Sequence, residues 1–140
     1  MITKNEIETK VQAAKFAKSL KGGELVLLVG DLGSGKTTFV RGFVEAMGSH
    51  VRVKSPTFTV MNEYPVDGEY VKRVVHLDLY RMQEDAELFA LHLDDELRRD
   101  TVIFIEWPDR LQEKVLDPDY TIHLKFIDEK QREIEVERHD

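Results

Sequence analysis

A glycine-rich run, GDLGSGKT at residues 30–37, fits the pattern G-x-x-x-x-G-K-[S/T] at every fixed position. An uninterrupted apolar stretch, residues 25–29, comes directly before it, and an amphipathic segment that ends at Gly48 comes directly after it. A buried strand, a glycine-rich turn and a helix N-terminus are the surroundings in which such a loop binds a polyphosphate. The sequence therefore predicts a phosphate-binding loop (P-loop).

Each residue type in this loop has a physical reason. Glycines let the backbone curl so that its N–H groups point at the phosphates, and the helix dipole adds about half an elementary charge. Lys36 brings a positive charge to the β- and γ-phosphates, and the Thr37 hydroxyl is placed to bind Mg²⁺. We therefore expect MgATP to bind between Gly30 and Thr38. The predicted ATP-binding residues of this segment are Asp31, Leu32, Gly33, Ser34, Gly35, Lys36, Thr37 and Thr38.

The rest of the chain alternates helical and strand-like patterns. The capping pattern Thr3-x-x-Glu6 predicts a helix that runs to about Leu20. Its expected apolar stripe is Ile7, Val11, Ala14 and Ala17. Residues 58–64 and 70–80 read as an antiparallel pair, because a turn signal, Asp67-Gly68, lies between them. This part of the chain therefore contains both a strand–loop–helix unit and a predicted hairpin.

Two further segments complete the expected sheet. Residues 101–105 form a second apolar run, and residues 120–127 and 132–138 alternate as a hairpin that we expect at a sheet edge. The predicted fold class is α/β: a three-layer P-loop NTPase fold with a mixed sheet that includes antiparallel hairpins. No linker or repeat divides the sequence, so residues 1–140 are expected to form a single domain.

Composition narrows the class of protein. The absence of cysteine excludes a disulfide framework and a thiolate metal site, and fits a reducing, cytoplasmic setting. No apolar run has membrane-spanning length, so no membrane association is expected. The formal charge of −7 argues against broad, sequence-independent binding of a nucleic acid backbone. Any involvement of a nucleic acid is therefore expected to be local or to pass through a partner.

Two carboxylates are candidates for the metal side of the site. Glu106 follows the apolar run 102–105, where P-loop folds place an acid beside Mg²⁺. Asp78 lies in a strand-like segment that would put His76, Asp78 and Tyr80 on one face. An acid among apolar neighbours needs either a partner or a function. For Asp78, an ion pair with Arg81 and a role in the site are equally good explanations. Glu106 is thus the predicted metal ligand, while the role of Asp78 stays open at this point.

Two other features are ambiguous when the residues are considered alone. The segment SPTFT at residues 55–59 is either a loop that senses the γ-phosphate through Ser55 or Thr57, or a plain entry into a strand. Trp107 directly follows Glu106 and is more often a core residue than a cofactor contact.

Taken together, four motifs in register resemble the TsaE family of bacterial tRNA threonylcarbamoyladenosine synthesis. They are GDLGSGKTT at 30–38, SPTFT at 55–59, HLDLYR at 76–81 and IEWP at 105–108. The resemblance covers most of the chain from Glu24 to Arg110. It implies an ATPase of slow turnover that associates with a TsaB–TsaD heterodimer and meets tRNA only indirectly, through that complex.

The resemblance also assigns roles to residues. Thr37 and Glu106 would hold Mg²⁺, and Lys36, Asp78 and Glu106 would form the catalytic set, with Asp78 near the attacking water or the metal. Ser55 and Thr57 would belong to a phosphate-responsive loop, Trp107 would shape the site or the partner surface, and Thr9 would lie near adenine.

Two other functions remain open from the sequence. One is a small-molecule phosphotransferase, although the chain has no lid-like segment for a second substrate. The other is a nucleotide-dependent switch in which occupancy by ATP matters more than its turnover.

Overall fold

Within the residues that can be described, the chain forms seven strands and two helices. The structure is a computed structural model that describes residues 1–31, 33–49, 61–78, 96–106 and 117–139, and of Asp78 only the backbone. The elements are β1 Ile2–Thr3, α1 Glu6–Ser19, β2 Leu25–Val29, α2 Lys36–Ala46, β3 Met61–Pro65, β4 Arg73–Asp78, β5 Thr101–Glu106, β6 Tyr120–Phe126 and β7 Arg132–Arg138.

The described strands form one mixed sheet in the order β1-β7-β6-β2-β5-β4-β3. Strand β2, which leads into the P-loop, has the parallel neighbours β5 and β6, and β4 is parallel to β5. The pairs β3–β4, β6–β7 and β1–β7 are antiparallel. Parallel strands that are buried on both faces carry continuous apolar runs, which explains the lack of alternation in β2 and β5. The predicted α/β fold with a mixed sheet and antiparallel hairpins is confirmed.

Helices α1 and α2 pack against each other and against one face of this sheet. Aromatic rings pack between the helices and the sheet. The ring of Phe43 in α2 packs edge-to-face on that of Phe104 in β5, with 4.8 Å between the ring centres, and the rings of Phe16 in α1 and Tyr120 in β6 are 5.0 Å apart in the same way. The helices approach each other closely at Gly42, where an added Cβ would lie 2.7 Å from the Cα of Lys10. A side chain at position 42 would therefore push α1 away from α2.

The opposite face of the central strands is also buried. Leu27, Ile103 and Ile105 have no exposed surface, although they point away from the face on which α1 and α2 pack. Burial on both faces is what the predicted three-layer arrangement requires. Neither described helix has the length and apolar character needed to cross a lipid bilayer.

The start of α1 differs from the expected one. The N-cap is Asn5, whose side chain accepts a hydrogen bond from the backbone N–H of Glu8 at 2.8 Å, so Thr3-x-x-Glu6 is not the capping pattern. Thr3 instead lies in β1, and its hydroxyl oxygen is 2.7 Å from that of Thr9 in a buried contact.

The predicted apolar stripe of α1 is confirmed at Ala17 but wrong at Ile7 and Val11. Ile7 is 73% exposed and Val11 is 46% exposed, whereas the buried residues of the helix are Thr9, Ala13, Phe16 and Ala17. The buried face begins with a threonine whose partner, Thr3, belongs to another element. Apolar periodicity alone therefore locates this face incorrectly.

The C-terminal hairpin was expected at a sheet edge, but β1 covers it. Ile2 and Thr3 pair with Glu133 and Arg132, and the amino group of Met1 donates to the carbonyl of Ile134 at 3.1 Å. The sheet edge is thus the two-residue strand β1. This pairing joins segments about 130 residues apart in sequence, so no local pattern could indicate it.

At the other end of the sheet, Arg73 fixes the beginning of β4. Its guanidinium donates to the carboxylates of Glu63 and Glu96 and to the Glu96 carbonyl, the last at 3.0 Å. Burial would lower the pKa of Arg73, but these hydrogen bonds outweigh it and the pKa is raised. The cluster stabilises the edge of the sheet opposite to the P-loop.

Candidate nucleotide-binding site

The P-loop turns tightly between β2 and α2. The backbone N–H of Ser34 donates to the carbonyl of Asp31 at 3.0 Å, and Gly35 adopts a φ of 99°, in the left-handed region that glycine tolerates. Lys36 reaches back over the loop, and its Nζ donates to the carbonyl of Gly30 at 2.6 Å. The ammonium group therefore lies over the loop, where it can meet a bound anion.

The N-terminus of α2 is open to such an anion. Its N-cap is Gly35, no side chain of the described residues caps it, and its first turn has no acidic residue. In α1, by contrast, Asn5 caps the helix and Glu6 and Glu8 occupy the first turn. The first N–H groups of a helix have no partner within the helix, so those of α2 are available to phosphate oxygens together with the positive end of the dipole.

The candidate metal residues lie at the same end of the sheet. Thr37 is half-buried in the first turn of α2. Glu106 ends β5 and is in register with Leu28 of β2, two residues before the loop begins, and it is 6% exposed. No group of three or more acidic or histidine side chains among the described residues forms a metal site. One hydroxyl and one carboxylate nevertheless fit Mg²⁺, which keeps its water and phosphate ligands and binds to few protein groups.

Asp78 lies beside Glu106. The two residues are direct register partners on the parallel strands β4 and β5, so their backbones are about 4.8 Å apart. The sheet thus brings both candidate carboxylate positions to the edge that carries the P-loop. The side chain of Asp78 lies outside the described part of the structure.

Buried beside this edge is a histidine. His76, two residues before Asp78, has no exposed surface, and its Nε2 is 3.4 Å from Oε1 of Glu106.

A pocket of about 390 Å³ adjoins the P-loop at the start of α2. It is lined from α2 by Gly35 and Thr38 and from α1 by Thr9, with Thr9 itself 2% exposed. Its other lining residues are Lys4, Asn5, Glu6, Glu129, Lys130 and Arg132. The structure therefore brings the predicted Thr9 and Thr38 to one pocket next to the loop.

The β6–β7 hairpin is held against the P-loop by Arg132. Its Nε donates to the carbonyl of Gly33 at 3.0 Å, and its guanidinium carbon lies 4.7 Å from the centre of the Phe126 ring. Within the turn, Asp128 accepts hydrogen bonds from the backbone N–H groups of Gln131 and Lys130. These hydrogen bonds lower the pKa of Asp128. The hairpin is thus a preformed wall of the pocket.

Several predicted site residues cannot be placed. Leu32, Ser55, Thr57 and Trp107 lie outside the described residues, so the predictions for the phosphate-responsive loop and for Trp107 stay predictions. The sequence reasoning missed the hairpin residues of the pocket and the polar residues before α1. These residues come together through the pairing of β1 with β7, and no local sequence pattern indicates that pairing.

Comparisons with known proteins agree with this architecture. The sequence model of the TsaE family, described as threonylcarbamoyl adenosine biosynthesis protein TsaE, matches residues 3–134. The chain is 39% identical over 132 residues to a Bacillus subtilis protein named tRNA threonylcarbamoyladenosine biosynthesis protein TsaE, covering 94% of this chain and 80% of that protein. A protein of the same name from Haemophilus influenzae is 37% identical over 105 residues, covering 75% of this chain and 65% of its own length.

A solved structure is similar throughout. The crystal structure of Bacillus subtilis YdiB superimposes with a TM-score of 0.72 at 34% identity, and the match covers 99% of this chain and 84% of that one.

Proposed function

The chain belongs to the TsaE family of tRNA threonylcarbamoyladenosine biosynthesis proteins, and we propose that its part in that process is to bind and slowly hydrolyse MgATP. The observation that carries the proposal is the open N-terminus of α2, reached through the glycine loop and overlain by the ammonium of Lys36. A side chain that capped this helix would occupy N–H groups that a phosphate could otherwise bind. An open helix N-terminus with an adjacent cation is suited to a polyphosphate.

The loop residues would bind and orient the phosphates. The backbone N–H groups of α2's first turn would donate to phosphate oxygens, and Lys36 would exchange its contact with the Gly30 carbonyl for the β- and γ-phosphates. The pocket beside Thr9 and Thr38 is large enough for part of a nucleoside, so we assign the base and ribose to it.

Thr37 and Glu106 would hold Mg²⁺, which when bound neutralises charge on the phosphates as the terminal bond breaks. Asp78, in register with Glu106, would lie near the attacking water or the metal. Ser55 and Thr57 would respond to the γ-phosphate, and Trp107 would shape the site. In this scheme Lys36 and the loop provide most of the positioning. Slow hydrolysis without a partner is what the resemblance to the TsaE family implies.

We further propose that the chain acts in the cytoplasm with a TsaB–TsaD heterodimer. With a net charge of −7, its surface is poorly suited to bind a tRNA backbone. Contact with tRNA would therefore be indirect, through the complex.

Hydrolysis and modification together test this proposal. ATP turnover is measured for the purified chain alone and with TsaB–TsaD, followed by multi-turnover modification of tRNA. Lys36→Ala should weaken ATP binding at least tenfold, since the hydrogen bonds of a charged group are worth about 1.5–3 kcal/mol, and should stop modification. Lys15→Ala, which removes an equal charge from an exposed position of α1, is the matched control.

Three outcomes separate this proposal from its alternatives. Full multi-turnover modification by Lys36→Ala would refute the ATPase role. Turnover that is indifferent to the heterodimer but rises with a metabolite acceptor would indicate a small-molecule phosphotransferase. A Glu106→Gln variant that no longer hydrolyses ATP but fully supports modification when ATP is present would indicate an occupancy switch.

A further inference from the structure

His76 is buried in an unusual way for a polar side chain. It has no exposed surface, and neither of its ring nitrogens has a hydrogen-bond partner among the described residues. A buried polar group without a partner loses its hydration and gains nothing in return. An apolar residue of similar size would avoid this loss, so packing alone does not account for an imidazole here.

Among the described residues, the charged group that faces this ring is the carboxylate of Glu106. Nε2 of His76 is 3.4 Å from Oε1 of Glu106, slightly beyond the usual range for a nitrogen–oxygen hydrogen bond. The Glu106 side chain is itself only 8% exposed. A small movement of either side chain would close the hydrogen bond. Such contacts are often long in unliganded enzymes and shorten in the complex.

The sheet register explains why these two side chains meet. On β4 and β5, His76 pairs with Phe104 and Asp78 pairs with Glu106. The imidazole therefore lies two register positions before the carboxylate on the same face of the sheet, on the side that is away from the P-loop. A carboxylate has two oxygens, so Glu106 can present one to the imidazole and keep the other for a ligand at the loop.

We propose that His76 is a positioning residue whose Nε2–H donates to Oε1 of Glu106 and thereby sets which carboxylate oxygen faces Mg²⁺. This inference rests on the proposed function, because it assigns Glu106 to the metal. Groups that orient a metal ligand in this way typically change metal affinity by about 10- to 100-fold when they are removed. His76 itself touches neither the nucleotide nor the metal in this proposal.

The test compares two replacements of His76. His76→Gln keeps an N–H donor close to the position of Nε2, whereas His76→Leu fills a similar volume without one. Val75→Ala is the control: it is a fully buried neighbour on the other face of β4, so it perturbs the same strand without touching Glu106. Binding of a fluorescent ATP analogue is titrated with Mg²⁺ and, separately, in EDTA.

The expected result is specific to the metal. His76→Leu should raise the Mg²⁺ concentration needed for half-maximal binding by about tenfold or more, His76→Gln should recover most of this loss, and Val75→Ala should not change it. Binding in EDTA should be the same for all four proteins. Without nucleotide and Mg²⁺, thermal melting should show His76→Leu at least as stable as the wild type, because both ring nitrogens lack a hydrogen bond among the described residues in that state.

Each failure has its own meaning. An unchanged Mg²⁺ dependence in His76→Leu, with normal Mg²⁺-dependent binding by the wild type, would overturn the role of His76 and leave the proposed function in place. A wild type that binds no nucleotide would overturn the proposed function itself.

A spectroscopic test does not depend on any variant folding. In ¹⁵N-labelled wild type, the ring signals of His76 should correspond to the tautomer protonated at Nε2 and should shift when Mg²⁺ is added to the nucleotide-bound protein. The opposite tautomer, or signals insensitive to Mg²⁺, would overturn the proposal.

Discussion

The contact between α1 and α2 at Gly42 gives the sharpest prediction about stability. A Cβ added to Gly42 would lie 2.7 Å from Cα and 2.9 Å from Cβ of Lys10. Ordinary contacts of this kind begin at 3.4 Å, so the helices would have to separate by about 0.7 Å, the difference between 3.4 and 2.7. Because the nearest atom belongs to the backbone of α1, a change of rotamer cannot provide this space.

Two effects of Gly42→Ala oppose each other. Alanine in the interior of a helix is favoured over glycine by about 1 kcal/mol. Overpacking a tight contact costs about 1–3 kcal/mol, and a clash with backbone belongs at the upper end of that range. We therefore expect the free energy of unfolding to fall by about 1–2 kcal/mol. At about 3–4 °C per kcal/mol for a chain of this size, Tm should fall by about 5 °C.

Gly42→Ala should also change the shape of the nucleotide pocket. Thr9 on α1 and Thr38 on α2 line it from the two helices that Gly42→Ala would separate. ATP affinity should therefore fall a few-fold together with the loss of stability, as measured by urea unfolding and by equilibrium titration of the same preparations.

The control for this prediction is Glu45→Ala. It removes the ion pair between Lys10 and Glu45, 3.2 Å long with half-exposed side chains, but leaves the contact at Gly42 intact. Exposed pairs of this kind are worth about 0.2–1 kcal/mol, so this variant should lose less stability than Gly42→Ala and should keep the ATP affinity of the wild type. A Gly42→Ala protein that is about 1 kcal/mol more stable than the wild type would show that helix propensity prevails, and would refute the close approach of the two helices.

Three further predictions concern the P-loop and the hairpin beside it. Arg132→Ala removes the hydrogen bond to the Gly33 carbonyl and should weaken ATP binding about tenfold in an equilibrium titration, and an unchanged affinity would contradict a role of the hairpin in the site. Ser34→Ala should raise the free energy of unfolding, measured in urea, by about 1 kcal/mol, because the Ser34 hydroxyl is fully buried and has no partner among the described residues. A less stable variant would indicate that this hydroxyl makes a hydrogen bond in the folded protein. The lowered pKa of Asp128 means that its contribution to stability is complete above its unfolded pKa, about 3.9, and is lost as pH falls through its folded value. The urea midpoint of Asp128→Asn should therefore change less than that of the wild type between pH 5 and pH 3, and equal changes would contradict this assignment.

The sequence predicted those parts of the fold that local patterns encode. The runs 25–29 and 102–105 are apolar because both faces of these central strands are buried, and the glycine pattern fixes the turn between β2 and α2. Strong local signals of this type identified the P-loop, Lys36 and the place of Glu106 at a strand end.

The remaining features depend on contacts between distant segments. The buried face of α1 begins with Thr9 because Thr3 is held in β1, and β1 exists only because it pairs with β7. The hairpin wall of the pocket has the same origin. The burial of His76 also could not be read from the alternation around it, because period two assigns a residue to a face but not to a depth.

The pairing of β1 with β7 also sets when the pocket can form. The pocket is lined on one side by Lys4, Asn5, Glu6 and Thr9 and on the other by Glu129, Lys130 and Arg132, so its walls are separated by about 120 residues of chain. Closing a loop of that length costs about 4 kcal/mol of chain entropy. During synthesis on the ribosome, the N-terminal wall residues emerge long before those of the hairpin. The pocket should therefore be among the last features to acquire its native shape. A nascent chain shortened before the hairpin should thus contain a complete P-loop and still fail to retain nucleotide.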